Sequence, residues 1–318
     1  MKTLLILLAS LTLSLKLSAQ TDGFPVDTVW YNEGKTHPRL VVAIDPQTQT
    51  PHGIWQEFYP NGQLKIDGFK KGEQFYGRYR AYFEDGQLQK AFEYREFQLQ
   101  GPYLVYHSNG RIKQEAHYEA NQLNGSWRKF YPSGAIQTEA SYTDGKLDGK
   151  WSSFFEDGQA QSVGVYALGE KTGIWTSFYP DGSLHTRGQY LHNQFDGNWE
   201  VRHPNGKTKQ SGAYVEGKAT GKWIFLAASG TVVKQGKFKN DQKVGPWQFY
   251  YPTGQLQYLM SFNRNGLIHG KALAYNEQGA LIEKIHYRDG QKNGQHITYK
   301  EDGGIADVKM YAQGNLKQ

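Results

Sequence analysis

The sequence predicts an all-β protein: an elongated, single-layer, twisted antiparallel sheet of eleven tandem 24-residue β-hairpin repeats. Three columns of residues predict it. Glycines recur at Gly53, Gly77, Gly101, Gly125, Gly149, Gly173, Gly197, Gly221, Gly245, Gly270 and Gly294, every step being 24 residues except the 25 between Gly245 and Gly270. Counting each as position one, position three holds seven of the eight tryptophans, from Trp55 to Trp247, with tyrosine at 79 and 103 and then Ala272 and His296. Position ten is glycine in all eleven repeats, so two columns account for 22 of the 37 glycines. A fixed period of this size defines a repeat architecture before any local assignment is made.

Taken in chain order, Met1–Gln20 has Lys2, an apolar run Leu4–Leu17 and a small-residue end at Ser18-Ala19, which reads as a secretory signal peptide. The run is short for a membrane span. Residues 21–52 lie outside the period. Their strand-like runs Val26–Tyr31 and Leu40–Ile44 are expected to form an N-terminal cap on the first hairpin, with polar Gln47–His52 as a connector. The repeats then occupy 53–318.

Within a repeat, a short aromatic segment (Trp175–Tyr179) precedes an alternating one (Leu184, Thr186, Gly188, Tyr190). Glycine or proline interrupts every half-repeat, so strands of five to eight residues fit and helices do not. The motif between them, Tyr-Pro-Asn/Ser/Asp-Gly as in Tyr179–Gly182, is turn chemistry: proline presets φ, Asn or Asp bonds its own backbone, and glycine takes positive φ. Side-chain size suggests a register in which position three faces sixteen (Trp175 with Gly188) and seven faces twelve (Tyr179 with Leu184), so that a large ring covers a small neighbour. The second connection, such as Thr143–Gly149, looks looser, and the extra residue of the ninth repeat falls there, in Asn263–Gly270, where it leaves strand parity intact. Twenty-two strands at about 4.8 Å each predict a ribbon on the order of 100 Å long. No hairpin is stable alone, so neighbours support one another, with the weakest end where the aromatic column decays to Ala272 and His296.

Position six has the opposite strand parity to the tryptophans. Phe58, Tyr82, Tyr106, Phe130, Phe154 and Phe178 occupy it, and Arg202 and Leu226 interrupt the column in the seventh and eighth repeats. A single layer cannot hide aromatics on both faces, so this column is the candidate binding face, an aromatic groove.

Chemistry-bearing motifs are otherwise lacking. Cysteine is absent, which excludes disulfides and lipidation at cysteine. The ten histidines show no metal-ligand spacing: His107 and His203 share position seven four repeats apart, and His185 and His192 have no clustered carboxylate. Asp85, Asp157, Asp181 and Asp302 recur at position nine, where turn chemistry explains them better than a calcium ladder, because Asn, Ser and Thr alternate with them. No catalytic constellation, phosphate loop or nucleophile elbow breaks the repeat, so no enzyme and no cofactor is expected. Losing Lys2 and Lys16 with a leader takes the formal charge from +6 to +4, and no basic cluster favours nucleic acid.

The run Tyr214–Trp223, its equivalent Tyr142–Trp151 and the stretch Phe58–Leu64 resemble MORN repeats in their bacterial variant form and the YwqK-like antitoxin-type family built from it, over Gly53–Gln318. The resemblance implies an extended hairpin sheet serving protein or membrane association, with no catalytic residues to carry over. The expected function is therefore an exported, non-enzymatic scaffold that binds an unknown protein at the cell envelope. The alternative is binding of an envelope glycan or lipid through the position-six aromatics.

Overall fold

The computed structural model describes residues 23–317; the leader read at Met1–Gln20 lies outside them. Among the described residues there are 27 strands and no helix. Two compact bodies divide the chain: residues up to Gly110 together with Glu119–Asn121, and Arg111–Tyr118 together with the residues from Gln122 onward. Each is an antiparallel meander.

In the N-terminal body, Val26–Trp30 pairs with Pro38–Asp45, which pairs in turn with Thr50–Phe58 of the first repeat. Val42 and Ala43 are buried there, Val42 opposite Trp55. The stretch expected as a connector is a turn only at 46–49; the strand has resumed by Thr50. The hairpins Thr50–Phe58/Leu64–Lys71 and Gln74–Tyr82/Leu88–Arg95 follow, then Gly101–Tyr106. In the C-terminal body the hairpins run from Gly125–Phe130/Ile136–Thr143 to Gln291–Tyr299/Ile305–Ala312.

Both turns of a repeat follow from sheet twist. The first is a four-residue turn closed by Tyr179 N–H donating to the Ser183 carbonyl (2.9 Å) and Gly182 N–H to that of Tyr179 (2.9 Å), with Gly182 at φ 79°. That positive φ explains the invariant glycine at position ten. The Asp181 carboxylate accepts from the Ser183 backbone at 2.9 Å, and Asp85 and Asp157 do the same for Gln87 and Gln159, so the position-nine acids are turn residues. The second connection is tighter than its sequence suggests. Asp144 and Gly145 form a two-residue turn, both at positive φ (49° and 77°), and Leu168–Gly169 and Glu216–Gly217 repeat it. Two successive left-handed residues match the right-handed twist of the flanking strands, which is why this turn closes a hairpin so compactly. The extra residue of the ninth repeat converts it to the four-residue form, with Asn263 N–H donating to Leu267 (2.8 Å), and Met260 still pairs with Ala272 beyond it.

The register agrees with expectation at one point and departs at another. Trp175 faces Gly188, Trp127 faces Ala140 and Trp223 faces Gly236. Position seven does not face position twelve. A β-bulge follows position five, so Phe178, at position six, pairs with Leu184, and Tyr179 belongs to the turn. The bulge frees the position-seven side chain for another task. Tyr179 Oη donates to the Arg202 carbonyl of the next repeat at 2.8 Å, as Tyr131 does to Phe154 (2.9 Å) and Tyr251 to Tyr275 (2.9 Å); in the N-terminal body Tyr31 does so to Phe58 (2.8 Å) and Tyr59 to Tyr82 (2.9 Å). His203 Nε2 lies 2.9 Å from the Leu226 carbonyl, so a histidine takes the tyrosine's place. The opposite edge is tied by turn amides, Gly169 to Leu147 (2.7 Å) and Gly217 to Phe195 (2.8 Å). Successive loops thus satisfy each other's backbone groups at both edges.

The tryptophan face is the core. The indoles from Trp175 to Trp247 lie over the glycine of the preceding repeat's second strand: a Cβ built on Gly188 would meet Trp199 at 1.7 Å, and one on Gly236 would meet Trp247 at 2.2 Å. Trp247 is 0% exposed, Trp223 3% and Trp175 7%. Their ring N–H groups donate to carbonyls of that same strand, Trp247 to Lys237 at 3.0 Å and Trp223 to Ala213 at 3.3 Å, so the polar atom of each buried indole is satisfied. Position-eighteen tyrosines wedge edge-on between them: Tyr190 is 5.9 Å from Trp175 and 5.8 Å from Trp199, and Tyr214 is 5.1 Å from Trp223. In the second repeat, where both partners are large, Tyr79 and Phe92 stack in parallel at 4.5 Å.

Burial raises the hydroxyl pKa values of Tyr142, Tyr166 and Tyr190 above the ordinary phenol value, and each preceding tyrosine of the column adds to the rise. The unfolded phenol ionises near pH 10. Below that pH the contribution to stability is complete; as pH climbs through the raised folded values it is lost, because the unfolded chain deprotonates first. Melting temperature is expected to fall more steeply above pH 10 for the wild type than for a variant with Tyr142, Tyr166 and Tyr190 changed to phenylalanine. Equal slopes would show that these hydroxyls are not linked to unfolding.

Candidate binding face

The face opposite the tryptophans presents positions two, four, six, twelve, fifteen and seventeen. Gln235 Nε2, at position fifteen, donates to Gln248 Oε1 (2.8 Å) and to the Tyr250 hydroxyl (2.8 Å), tying positions four and six to one side. The position-six residues each end a strand: Phe58, Tyr82 and Tyr106 in the N-terminal body, and Phe130, Phe154 and Phe178 in the C-terminal body. All six are half-buried. Each therefore sits beside the four-residue turn, paired with a position-twelve residue such as Leu64 or Ile136, and forms a border of the face. In the strand interior the same face exposes aliphatics, Ile174 at 53% and Val165 at 39%.

Where Arg202 and Leu226 interrupt the aromatic column, the C-terminal body has a groove of about 760 Å³ crossing five strands. Ile174, Asn198 and Lys222 line it from position two, Glu200 and Ile224 from position four, and Arg187 from position fifteen. Arg202 Nε and Thr208 Oγ1 both donate to Glu200 Oε1 at 3.0 Å, so the acid in the groove is neutralised and fixed. Arg187 and Lys222 are exposed, and neither forms an ion pair among the described residues. This part of the face was legible only in part. Its residues share the parity of position six, and columns two and fifteen written out across repeats six to eight bring Ile174, Arg187 and Lys222 together. Concavity needs the coiling of the sheet, which no column displays.

Among the described residues no group of three or more histidine, aspartate and glutamate side chains could hold a metal ion. None of their helices is long and apolar enough to cross a membrane, there being no helix. On the tryptophan face the lysine ammoniums lie over rings, Lys171 at 4.3 Å from Trp175 and Lys70 at 3.9 Å from Trp55, so those cations extend the core.

Comparison with known proteins agrees with this geometry. Residues 51–69, 99–120, 123–144, 171–192 and 243–264 match the family described as MORN repeat variant, so five segments of the chain carry this repeat. Each match starts two residues before an opening glycine, and all but the first run through the hairpin's second strand into the start of the second turn. No curated protein matches the chain. Among solved structures, the crystal structure of TcdB2–TccC3–Cdc42 matches at 10% identity over 86% of this chain and 18% of that one, with a TM-score of 0.19. The Photorhabdus luminescens Tc holotoxin pore matches at 11% identity over 91% of this chain and 18% of that one, also with a TM-score of 0.19. The chain thus spans under a fifth of the length of these structures.

Proposed function

We propose that this chain is an exported, non-enzymatic scaffold of the bacterial, YwqK-like kind that holds a protein partner through the position-six face. The observation that carries this reading is the division of labour between the faces. Indoles and tyrosines of one face are consumed by mutual stacking, whereas the other leaves half-buried rings, exposed aliphatics and unpaired cations available. An interface with aromatic anchors and an arginine-bearing polar rim has this composition. An antitoxin-like role is one form such binding would take, the bound protein then being a toxin.

The test is cross-linking of the mature chain to a defined envelope partner, with phosphatidylglycerol liposomes and purified envelope polysaccharide as parallel ligands. Changing Phe130, Phe154 and Phe178 together to alanine is expected to reduce partner capture at least tenfold while leaving the circular dichroism unchanged. Capture by liposomes or polysaccharide with no protein complex would replace the scaffold reading with glycan or lipid binding.

A further inference from the structure

Resting on that reading, we infer that the groove across repeats six to eight recognises an extended acidic segment of the protein partner, with carboxylates about four residues apart flanking an apolar side chain. Charge points to the acid. Of the charged residues that line the groove, Arg187 and Lys222 are cations and Glu200 is the one acid, and Glu200 is already taken by Arg202 at 3.0 Å. The equivalent columns of the ninth repeat, Pro246, Gln248, Tyr250, Leu259 and Ser261, carry no charge, so the cations of the groove are separated from Lys271 and Lys284 of the tenth. A patch of one sign with a concave floor attracts and orients an oppositely charged ligand.

Geometry sets the spacing. Arg187 lies on Leu184–Leu191 and aligns through Glu200 and Ser211 with Ile224, so Lys222 is three strand-to-strand steps across and two residues along, roughly 16 Å away. An extended chain advances roughly 3.3 Å per residue, so side chains at i and i+4 span about 13 Å and point the same way, and the long Arg187 and Lys222 side chains cover the remaining few ångströms. The residue at i+2 then meets the aliphatic walls, Ile174 and Ile224. Those walls also argue for peptide over sugar: a pyranose ring stacks on a flat aromatic face, and the ring of Trp199, the one aromatic residue of the lining, is packed against Tyr190 and Phe195 on the tryptophan face.

The probe is a fluorescein-labelled peptide, Gly-Glu-Ser-Leu-Ser-Glu-Gly, titrated with the folded chain and followed by polarisation, with a glutamine-for-glutamate version as control. Wild type is expected to bind the acidic peptide and to lose it as salt rises. Arg187→Glu and Lys222→Glu should each weaken it about tenfold, a change of about 1.4 kcal/mol. Lys129→Glu, on the tryptophan face, should not change it. Equal affinity for the two peptides, or indifference to both groove substitutions, overturns the inference. So does binding of polygalacturonate that both substitutions weaken while the peptide fails to bind. In any of these cases retained partner capture, lost on changing Phe130, Phe154 and Phe178, leaves the scaffold reading standing; loss of all protein capture would remove both.

Discussion

Replacing Trp247 with alanine is expected to destabilise the ninth repeat by about 3–5 kcal/mol, the range for deleting a large buried aromatic. This side chain is fully buried, lies on Gly236, donates to the Lys237 carbonyl at 3.0 Å and has Phe238 edge-on at 4.9 Å. All of these partners belong to the preceding repeat. The loss therefore falls on the interface between repeats, and in a one-dimensional array a broken interface uncouples what lies on either side. Denaturant unfolding should separate into two phases, and amide exchange should accelerate first in 242–317. His296→Ala, at the same column but partly exposed and bonded to Glu283 at 2.6 Å, should cost about 1 kcal/mol and leave unfolding in one phase. A single unshifted transition for Trp247→Ala would mean that the column does not couple the repeats.

The second large effect comes from adding one methyl group. Gly188 has ordinary extended backbone, so alanine there meets no dihedral penalty, yet its Cβ would sit 1.7 Å from a carbon of Trp199. The indole must leave its seat, and overpacking of this kind costs about 1–3 kcal/mol. Trp199 has Phe195 at 4.4 Å and Tyr214 at 6.2 Å, so displacement disturbs the stack on both sides. A red shift of tryptophan emission with a lower unfolding midpoint is the expected signature. Gly206→Ala, at φ 79° with open space around it, provides the contrast, a backbone strain of about 1–2 kcal/mol with unchanged emission. The tenth repeat suggests a rescue: there Ala272 faces Met260, the inverse of Trp over Gly, so Gly188→Met combined with Trp199→Ala should recover part of the loss. Unchanged emission in Gly188→Ala would show that the ring does not lie over this glycine.

Period, strand class and the pairing of position three with sixteen were legible in the sequence because each rests on side chains repeated in column. The tryptophan column announced the core, and the turn glycines announced the hairpins. The bulge after position five was hidden, since it arises from fitting a four-residue turn onto a twisted ladder and has no residue of its own. Missing it misplaced Tyr179 as a cross-strand partner, although it bonds the next repeat. The two-residue turns were disguised by residues such as Leu168 and Glu216, which do not signal a left-handed backbone yet adopt one at φ 52° and 49°. The candidate face was legible as a parity class, and its six named aromatics each end a strand beside the four-residue turn. The groove beside them was legible only as neighbouring columns, two for Ile174 and Lys222 and fifteen for Arg187; its concavity comes from the coil of the sheet.

The phenol of position seven reaches one carbonyl, that of the adjoining module, and the turn amides on the far edge do likewise. Such a chain measures itself link by link and keeps no record of its total. Excising or duplicating a 24-residue block leaves every surviving donor with an acceptor of the same kind, so length is free to drift by whole modules. A single added residue is admitted only where the two-residue turn can swap to its longer form. Genetic change in register with the period is thus nearly invisible to the fold, while an insertion inside a strand turns its indole toward water.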